Sequence, residues 1–494
     1  MTKFPYLRQD FTASLVVFLV ALPLCVGVAV ASGVPAELGL VTGIVGGLVT
    51  GFLPGSSLQV SGPAAGLTVL VFEAVSTYGL PALGVIVLAA GLLQLIMGAL
   101  KLGRWFRAIS VSVVEGMLAG IGLVLIAGQL YATAGLKAPA SGIDKILGLP
   151  GAAVDAAGST AALTSLALGA ATIAVMVLWK KLPKKAQAVP GALAAVVLAI
   201  AANAVFDLPV ATVEVKGLLD SIQPPGLDAF GGVGIGIIGT IIAFTLIASA
   251  ESLFSAAAVD RLHDGPRTQY DKELMAQGAG NTVCGVLGAL PMTAVIVRSS
   301  ANVSAGARTK ASRVMHGVWL LLFAALLPST LALIPLPALA GILVHAGWKL
   351  IPFAKIVPLW KEHRGEAVIL VVTAVSIVAV NMFEGVLIGL ALSVVKTAWE
   401  ASHIKLEIVD KGAGPIQAYL SGNATFLRLP KILDSLEGLP QDRPVELDLS
   451  GLHHLDHACR TALENWAARH SSTGTEPVKV TEPEEAPAEK VTAG

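Results

Sequence analysis

The chain has 494 residues, of which 55% are hydrophobic and 13% charged, and its 33 basic and 33 acidic side chains leave no net charge. That charge density is about half that of an ordinary soluble domain, which excludes a water-soluble globular protein, and the zero balance gives no reason to expect a nucleic-acid partner. Cys25, Cys284 and Cys459 lie far apart, with no CxxC or His spacing, and so indicate neither a metal site nor a disulfide framework.

Apolar runs long enough to cross ~30 Å of hydrocarbon start with Phe11 to Ser32. This first run follows Lys3 and Arg8 as a secretory signal would, but it is too long, lacks a convincing cleavage site and is followed by further runs, so it reads as span one. Seven spans are expected near 11–32, 37–53, 62–77, 83–100, 109–130, 160–179 and 188–206. Seven more follow near 232–257, 273–290, 296–306, 312–333, 336–348, 367–381 and 384–399.

Loop charge tests this count, because cytoplasmic loops hold the excess of Lys and Arg. With the N-terminus inside, the inner loops carry Lys101, Arg104 and Arg107; Lys180, Lys181, Lys184 and Lys185; Arg261, Arg267 and Lys272; Arg308, Lys310 and Arg313; and Lys349, Lys355, Lys361 and Arg364. The outer loops keep little more than Lys137, Lys145 and Lys216. Both termini are therefore expected in the cytoplasm.

Two spans are irregular. Span three is interrupted at its start by Ser61-Gly62-Pro63, and span ten follows Pro291 and contains Arg298, Ser299, Ser300 and Asn302. Interrupted spans at matched positions point to an inverted repeat whose broken helices meet near the bilayer midplane. The halves do not align residue by residue. VSGPAAGLTVL is only weakly similar to AVIVRSSANVS.

After Glu400 charge rises and short alternating stretches appear. Strands are expected at 403–408, 416–420 and 445–449, with helices at 430–436 and 460–468, making a small α/β module over 403–470. From Ser471 onward Ser, Thr, Glu, Pro and Lys dominate, the composition of a disordered tail over 471–494.

A charge inside a span costs at least ~2.5 kcal/mol on insertion scales, so each survivor asks for a reason. Glu251 lies deep in span eight with Ser255 one turn later on the same face, and reads as a proton or cation site. Arg298 lies just inside span ten, where its guanidinium would add to the amide-rich end of a half-helix and draw an anion. Gly62, Pro63, Ala64 and Ala65 supply a proline suited to a first helical turn and small side chains that leave backbone amides open. Glu73, Glu115, Glu384, His316 and His345 read as span-end, capping or packing residues.

These motifs resemble the sulfate permease (SulP) family over nearly the whole chain. ALPLCVGVAVASGVPAELGL from Ala21 looks like its first signature, and SLQVSGPAAGLTVLV from Ser57 like its start of span three. ESLFS from Glu251, ELMAQGAGN from Glu273, PMTAVIVRSSANVSAGARTKAS from Pro291 and NMFEGVLIGL from Asn381 look like its second half. LSGNATFL from Leu420 and DLSGLHHLDHACRTAL from Asp448 resemble its cytoplasmic STAS domain, here shortened, with His457 where phosphorylatable modules often carry Ser.

The resemblance implies an all-α polytopic membrane protein of fourteen spans as 7+7 inverted repeats. Residues 1–400 would form core and gate domains that move against each other, followed by the small α/β STAS-like domain. It places an anion between Gly62, Pro63, Ala64 and Ala65 at the start of span three and Val295, Ile296, Val297, Arg298 and Ser299 at the start of span ten. Glu251 matches an acidic position that is Asp in sodium-dependent bicarbonate members, Ser255 a hydroxyl residue near the cation there, and Ala64 a residue that is Thr in some bicarbonate transporters.

The expected function is secondary active transport of bicarbonate, sulfate or a similar oxyanion across the plasma membrane, with no cofactor beyond a coupling H+ or Na+ at Glu251. A homodimer is expected from the family, and a carbonic anhydrase beside a bicarbonate carrier is the expected enzymatic partner. With no nucleophile–base or metal constellation, the chain is not expected to be an enzyme. The alternatives are a passive anion channel or exchanger, a sensor whose STAS module binds a partner, and a nucleobase:cation symporter of the same architecture, which would need a carboxylate where this chain has Arg298.

Overall fold

The computed structural model describes residues 6–108, 110–183, 186–215, 217–226, 235–412, 414–473 and 476–482. The chain divides into two compact units, residues 1–390 and 391–494. Lys184, Lys185 and Lys216, which enter the loop-charge argument, lie outside the described residues.

In hydrocarbon every backbone polar group must be satisfied within its own segment, so apolar runs become helices. Fourteen form, one for each expected span: α1 (Leu7–Ala31), α2 (Ala36–Val45), α3 (Thr68–Tyr78), α4 (Leu80–Ala99), α5 (Val111–Thr133), α6 (Thr160–Leu178) and α7 (Gly191–Phe206). The second seven are α8 (Ile235–Val259), α9 (Tyr270–Val286), α10 (Ile296–Ser304), α11 (Ala311–Leu326), α12 (Leu336–Leu350), α13 (Arg364–Ala379) and α14 (Met382–Ala401). Among the described residues, seven stretches are long and apolar enough to cross a membrane by themselves: α1, α4, α5, α6, α8, α14, and α12 together with the connecting helix Phe353–Glu362. The other seven spans are helices of 17 residues or fewer.

Three differences from the expected boundaries have local causes. Span two is α-helical to Val45 and then widens into a π turn over Gly46–Thr50; there Gly46 lies against the Ser61 carbonyl and Gly47 against the backbone of Gly317, with no room for a Cβ at either. Span eleven stops at Leu326 because Pro328 opens a separate 3-10 turn, Pro328–Leu333. Span three starts as a strand, β1 (Ser61–Pro63), passes through a 3-10 turn over Ala65–Leu67 and becomes α-helical only at Thr68.

Packing shows the repeat that residue alignment does not. α1–α4 pack with α8–α11 as one bundle, and α5–α7 pack with α12 and α13 as another, on which α14 lies through Gly385 and Gly389 against Ile377 and Thr373 of α13. Advancing each helix by seven turns the α9–α4 seam into the α2–α11 seam, the α5–α13 seam into α12–α6, and α1–α11 into α8–α4; both members of every pair are packed. Glycines bring backbones together across these seams, as small residues do where lipid supplies no hydrophobic drive. Gly91, Gly278 and Gly285 close α4 on α9, Gly47 in the π turn after α2 and Gly317 close span two on α11, and Gly122 and Gly347 close α5 on α12. Seven is odd, so the second repeat runs through the membrane inverted.

The second unit is an α/β sheet of order β3-β4-β5-β6: β3 (Ile404–Val409), β4 (Ile416–Ala424), β5 (Val445–Leu455) and β6 (Lys479–Thr481). β3 and β4 are antiparallel, while β4–β5 and β5–β6 are parallel, crossed by α15 (Leu429–Glu437) and α16 (His457–Thr473). Alternate residues Ile416, Ala418, Leu420, Val445 and Leu447 bury against Ile432, Leu436, Leu463 and Trp466.

The expected tail from Ser471 is corrected here: α16 runs to Thr473, and Lys479–Thr481 pairs with Glu446, Leu447 and Asp448. A three-residue edge strand with every side chain exposed is held by its backbone, so a polar composition does not exclude it. Residues 483–494 lie outside the described residues.

Asp456 caps α16, its carboxylate accepting from the Cys459 amide at 2.7 Å and the Phe426 amide at 2.6 Å. Burial works against its charge, but these donors outweigh it and hold the carboxyl below the ordinary Asp range. A carboxyl so lowered contributes stability above its unfolded value, about 3.9, and loses it as pH falls through the lower folded value. The second unit should therefore melt at lower temperature as pH drops below about 4. Asp456→Ala should remove about 1 kcal/mol and flatten that dependence, as thermal scans of the full chain against pH will show.

Candidate functional site

The two interrupted spans meet. β1 pairs antiparallel with β2 (Met292–Ala294), setting Ser61 opposite Ala294, Gly62 opposite Thr293 and Pro63 opposite Met292. Each strand leads through one extended residue into its half-helix: Ala64 has φ −109°, ψ 137° and Val295 has φ −108°, ψ 115°. These matching dihedrals set the repeat register as Ala64 on Val295, three residues away from the offset that the weak similarity of VSGPAAGLTVL to AVIVRSSANVS would give. Neither residue has a side chain that can cap, so the first-turn amides of both half-helices are left without side-chain acceptors. Two positive helix ends thus converge on one place.

A polar scaffold holds this crossing. Val60 donates its amide to Ser299 Oγ at 2.9 Å, and the Val295 amide donates to the Val60 carbonyl at 2.9 Å. On α9, Gln277 donates to Ser61 Oγ at 2.7 Å, while Asn281 accepts from the Met292 amide at 2.7 Å and donates to Gln94 at 2.8 Å. On α8, Ser252 Oγ accepts from the Ala294 amide at 3.2 Å, and its carbonyl accepts from Gln59 Nε2 at 2.8 Å. Sequence reasoning followed charges and missed Gln59, Ser252, Gln277 and Asn281. The available signal was two amide side chains four residues apart, on one face of an otherwise apolar span.

Beside the crossing lies a cavity of about 220 Å³, walled by the starts of α3 and α10, by α8, and by α5 and α12 of the other bundle. Of the expected residues, Pro63, Ala65, Val295, Ile296, Val297, Arg298, Glu251 and Ser255 line it. Gly62, Ala64 and Ser299 do not. Gly62 lies directly against the Arg298 guanidinium, where a Cβ would not fit; Ala64 is buried; and the Ser299 hydroxyl is used up between Val60 and Val295. Lys349, counted from sequence only as a loop charge, lines the cavity from the last turn of α12, as do Gly66 and Phe254.

Arg298 is fully buried at 0% exposure. Its Nη2 donates to the Pro63 carbonyl at 3.2 Å, tying α10 to β1, while among the described residues Nε and Nη1 have no oxygen or nitrogen acceptor and the Cys25 thiol lies beside the guanidinium. Glu251 brings its carboxylate against Gly66, where an added Cβ would have to push it aside, and among the described residues Glu251 Oε2 has no hydrogen-bond partner. Among the described residues no ion pair joins Glu251 to Arg298. Isolated buried charges are expensive; both residues line the cavity, and each keeps polar atoms without a hydrogen-bond partner among the described residues, donors on the arginine that suit an anion and an oxygen on the carboxylate that suits a proton or cation.

The comparisons with known proteins agree with this geometry. The profile of the sulfate permease family matches residues 7–373. The "Putative sulfate transporter YvdB" of Bacillus subtilis is 27% identical, covering 93% of this chain and 88% of its own. The bicarbonate transporter BicA of Picosynechococcus is 25% identical, covering 94% and 86% respectively. Among solved structures, the murine Slc26a9 anion transporter in its inward-facing state superposes with a TM-score of 0.79 at 16% identity, covering 98% of this chain and 86% of that one, which shows a shared fold. A family profile spanning most of the chain, on a fold that brings two broken spans together over a buried arginine, has one reading: this protein belongs to the sulfate permease family of anion transporters.

Proposed function

We propose that the protein is a secondary active transporter of a small oxyanion, bicarbonate or sulfate, and that the anion sits where α3 and α10 begin. The observation that carries this reading is Arg298: fully buried, unpaired with any carboxylate, and with two free donors beside a cavity bounded by uncapped helix starts. An oxyanion supplies the acceptor oxygens and the charge that these donors lack. Glu251 and Ser255, on the wall of the same cavity, take the coupling proton or sodium. The printed names of the relatives, sulfate for one and bicarbonate for the other, supply the two leading substrates.

The test is counterflow in vesicles of purified protein with labelled bicarbonate, sulfate and fumarate at varied pH and sodium. Exchange of none of the three would remove the reading. A passive channel could use the same half-helix site, and stoichiometric charge movement in these vesicles separates the two. A nucleobase symporter is disfavoured, because α10 offers a guanidinium where a base needs a hydrogen-bonding carboxylate.

The location proposed is the plasma membrane, with both termini in the cytoplasm, a homodimeric assembly, and a carbonic anhydrase as partner if bicarbonate is carried. The orientation rests on Lys101, Arg104, Arg261, Arg267 and Lys361, which lie in loops on one face. Lys361→Cys should react with an impermeant thiol reagent only from the cytoplasm, and Ala138→Cys only from outside. The opposite pattern would invert the topology.

A further inference from the structure

α3 has two ends with different neighbours. Its first turn forms the proposed anion site, and the helix then runs toward the face opposite the basic loops, carrying Phe72 past Val124, Gly128 and Gln129 in the second half of α5. Above α5, the connecting helix Gly142–Leu147 rides on the other bundle: Gly142 lies against Val124 of α5 and the Val378 carbonyl of α13, and Tyr131 donates its hydroxyl to the Lys145 carbonyl at 3.0 Å.

From that helix Lys145 reaches across to α3. Its ammonium lies 4.9 Å from the centroid of the Phe72 ring and donates to the Ala140 carbonyl at 3.2 Å; Glu73, next along α3, is near enough to act on it electrostatically, with no ion-pair contact between the two among the described residues. At 5% exposure it is buried, although a lysine near a span end ordinarily extends its charge to water. Beneath it, the space lined by Thr68, Val69, Phe72, Gln129 and Lys145 is only about 40 Å³, while an adjoining pocket of about 280 Å³ shares Phe72 and Gln129 and extends to the start of α12 at Leu336 and Pro337.

We propose that Lys145 is a latch that closes the outer side of the anion path by fastening the α5–α13 bundle to the outer half of α3, and that its release is the step that opens the site outward. This rests on the transport reading above. The physical argument is that the contact is made between the two bundles and uses attractions that weaken with small separations. A cation over a ring face and a carboxylate near it hold while water is excluded. Once the bundles part, the ammonium is hydrated and the contact is gone. The same helix start that receives the anion is therefore tied, through the body of α3, to the latch.

The experiment reads conformation directly, so it is independent of which anion is carried. In the full-length protein in oriented vesicles, Thr68→Cys is exposed to an impermeant maleimide from the face opposite the basic loops, with the parent chain as the background. The expected result is slow labelling with Lys145 or Lys145→Arg in place, and labelling faster on the order of tenfold with Lys145→Met. Glu73→Gln, a near-isosteric change that spares the loop helix, should also speed labelling, and the two changes together should add little beyond Lys145→Met alone. Unchanged labelling in both Lys145→Met and Glu73→Gln would overturn the latch and leave Lys145 as an anchor for its own loop. Failure of the transport reading would show separately, as absence of counterflow in the parent protein.

Discussion

Arg298→Ala should raise the anion concentration for half-maximal transport by roughly a hundredfold or more, while the protein still folds into the membrane. The size follows from what is lost: a full charge and two free donors on the wall of the cavity. The fold should survive because the side chain stabilises it little. It contributes one hydrogen bond to the Pro63 carbonyl, worth about 1 kcal/mol, and against that stands the desolvation of an uncompensated buried guanidinium. Arg298→Lys, which keeps the charge but not the planar fork, should fall between the two. Measured together, a binding isotherm and a melting curve separate the roles. Unchanged affinity removes Arg298 from the site, and a collapsed melting temperature makes it structural.

Glu251→Gln should leave anion exchange in place and abolish accumulation against a gradient. Glutamine keeps the size and one oxygen, so the contact against Gly66 survives, but it can neither release a proton nor neutralise a cation. An unpartnered carboxylate oxygen inside the cavity wall is costly unless it is protonated or bound by a cation, which makes its occupancy sensitive to the charge of the anion arriving at Arg298. Counterflow without driven accumulation is the expected signature. If the variant concentrates anion from a pH or sodium gradient as well as the parent does, Glu251 is a structural carboxylate and the coupling lies elsewhere.

Much of the transmembrane unit can be read in its residues. Apolar length, loop charge and the two Pro/Gly-interrupted spans are local properties, and lipid allows almost nothing but helix for a run of that length. Buried charge and the Gly/Pro interruption then picked out Glu251, Ser255, Arg298, Pro63 and Ala65 from the residues themselves, and the resemblance to a family added Val295, Ile296 and Val297; these eight line one cavity. The hydrogen-bonding residues around the crossing were harder to see. Gln277 and Asn281 look like tolerated polar residues on one face of α9 until β1 and β2 arrive beside them, and no spacing rule announces a partner more than 200 residues away, as Ser61 is for Gln277.

The amino-acid sequence alone therefore determined that the chain crosses a membrane about fourteen times, which loops carry the charge, and which two spans are broken, because these depend on residues adjacent in the chain. Only the tertiary structure decided the register of the two repeats, the sharing of one cavity by Arg298 and Glu251 without an ion pair, the exclusion of Gly62, Ala64 and Ser299 from its wall, and the strand at Lys479–Thr481. Each of these is settled by backbone hydrogen bonds and close approaches between segments far apart in sequence, whose energy depends on geometry that residue identity leaves open.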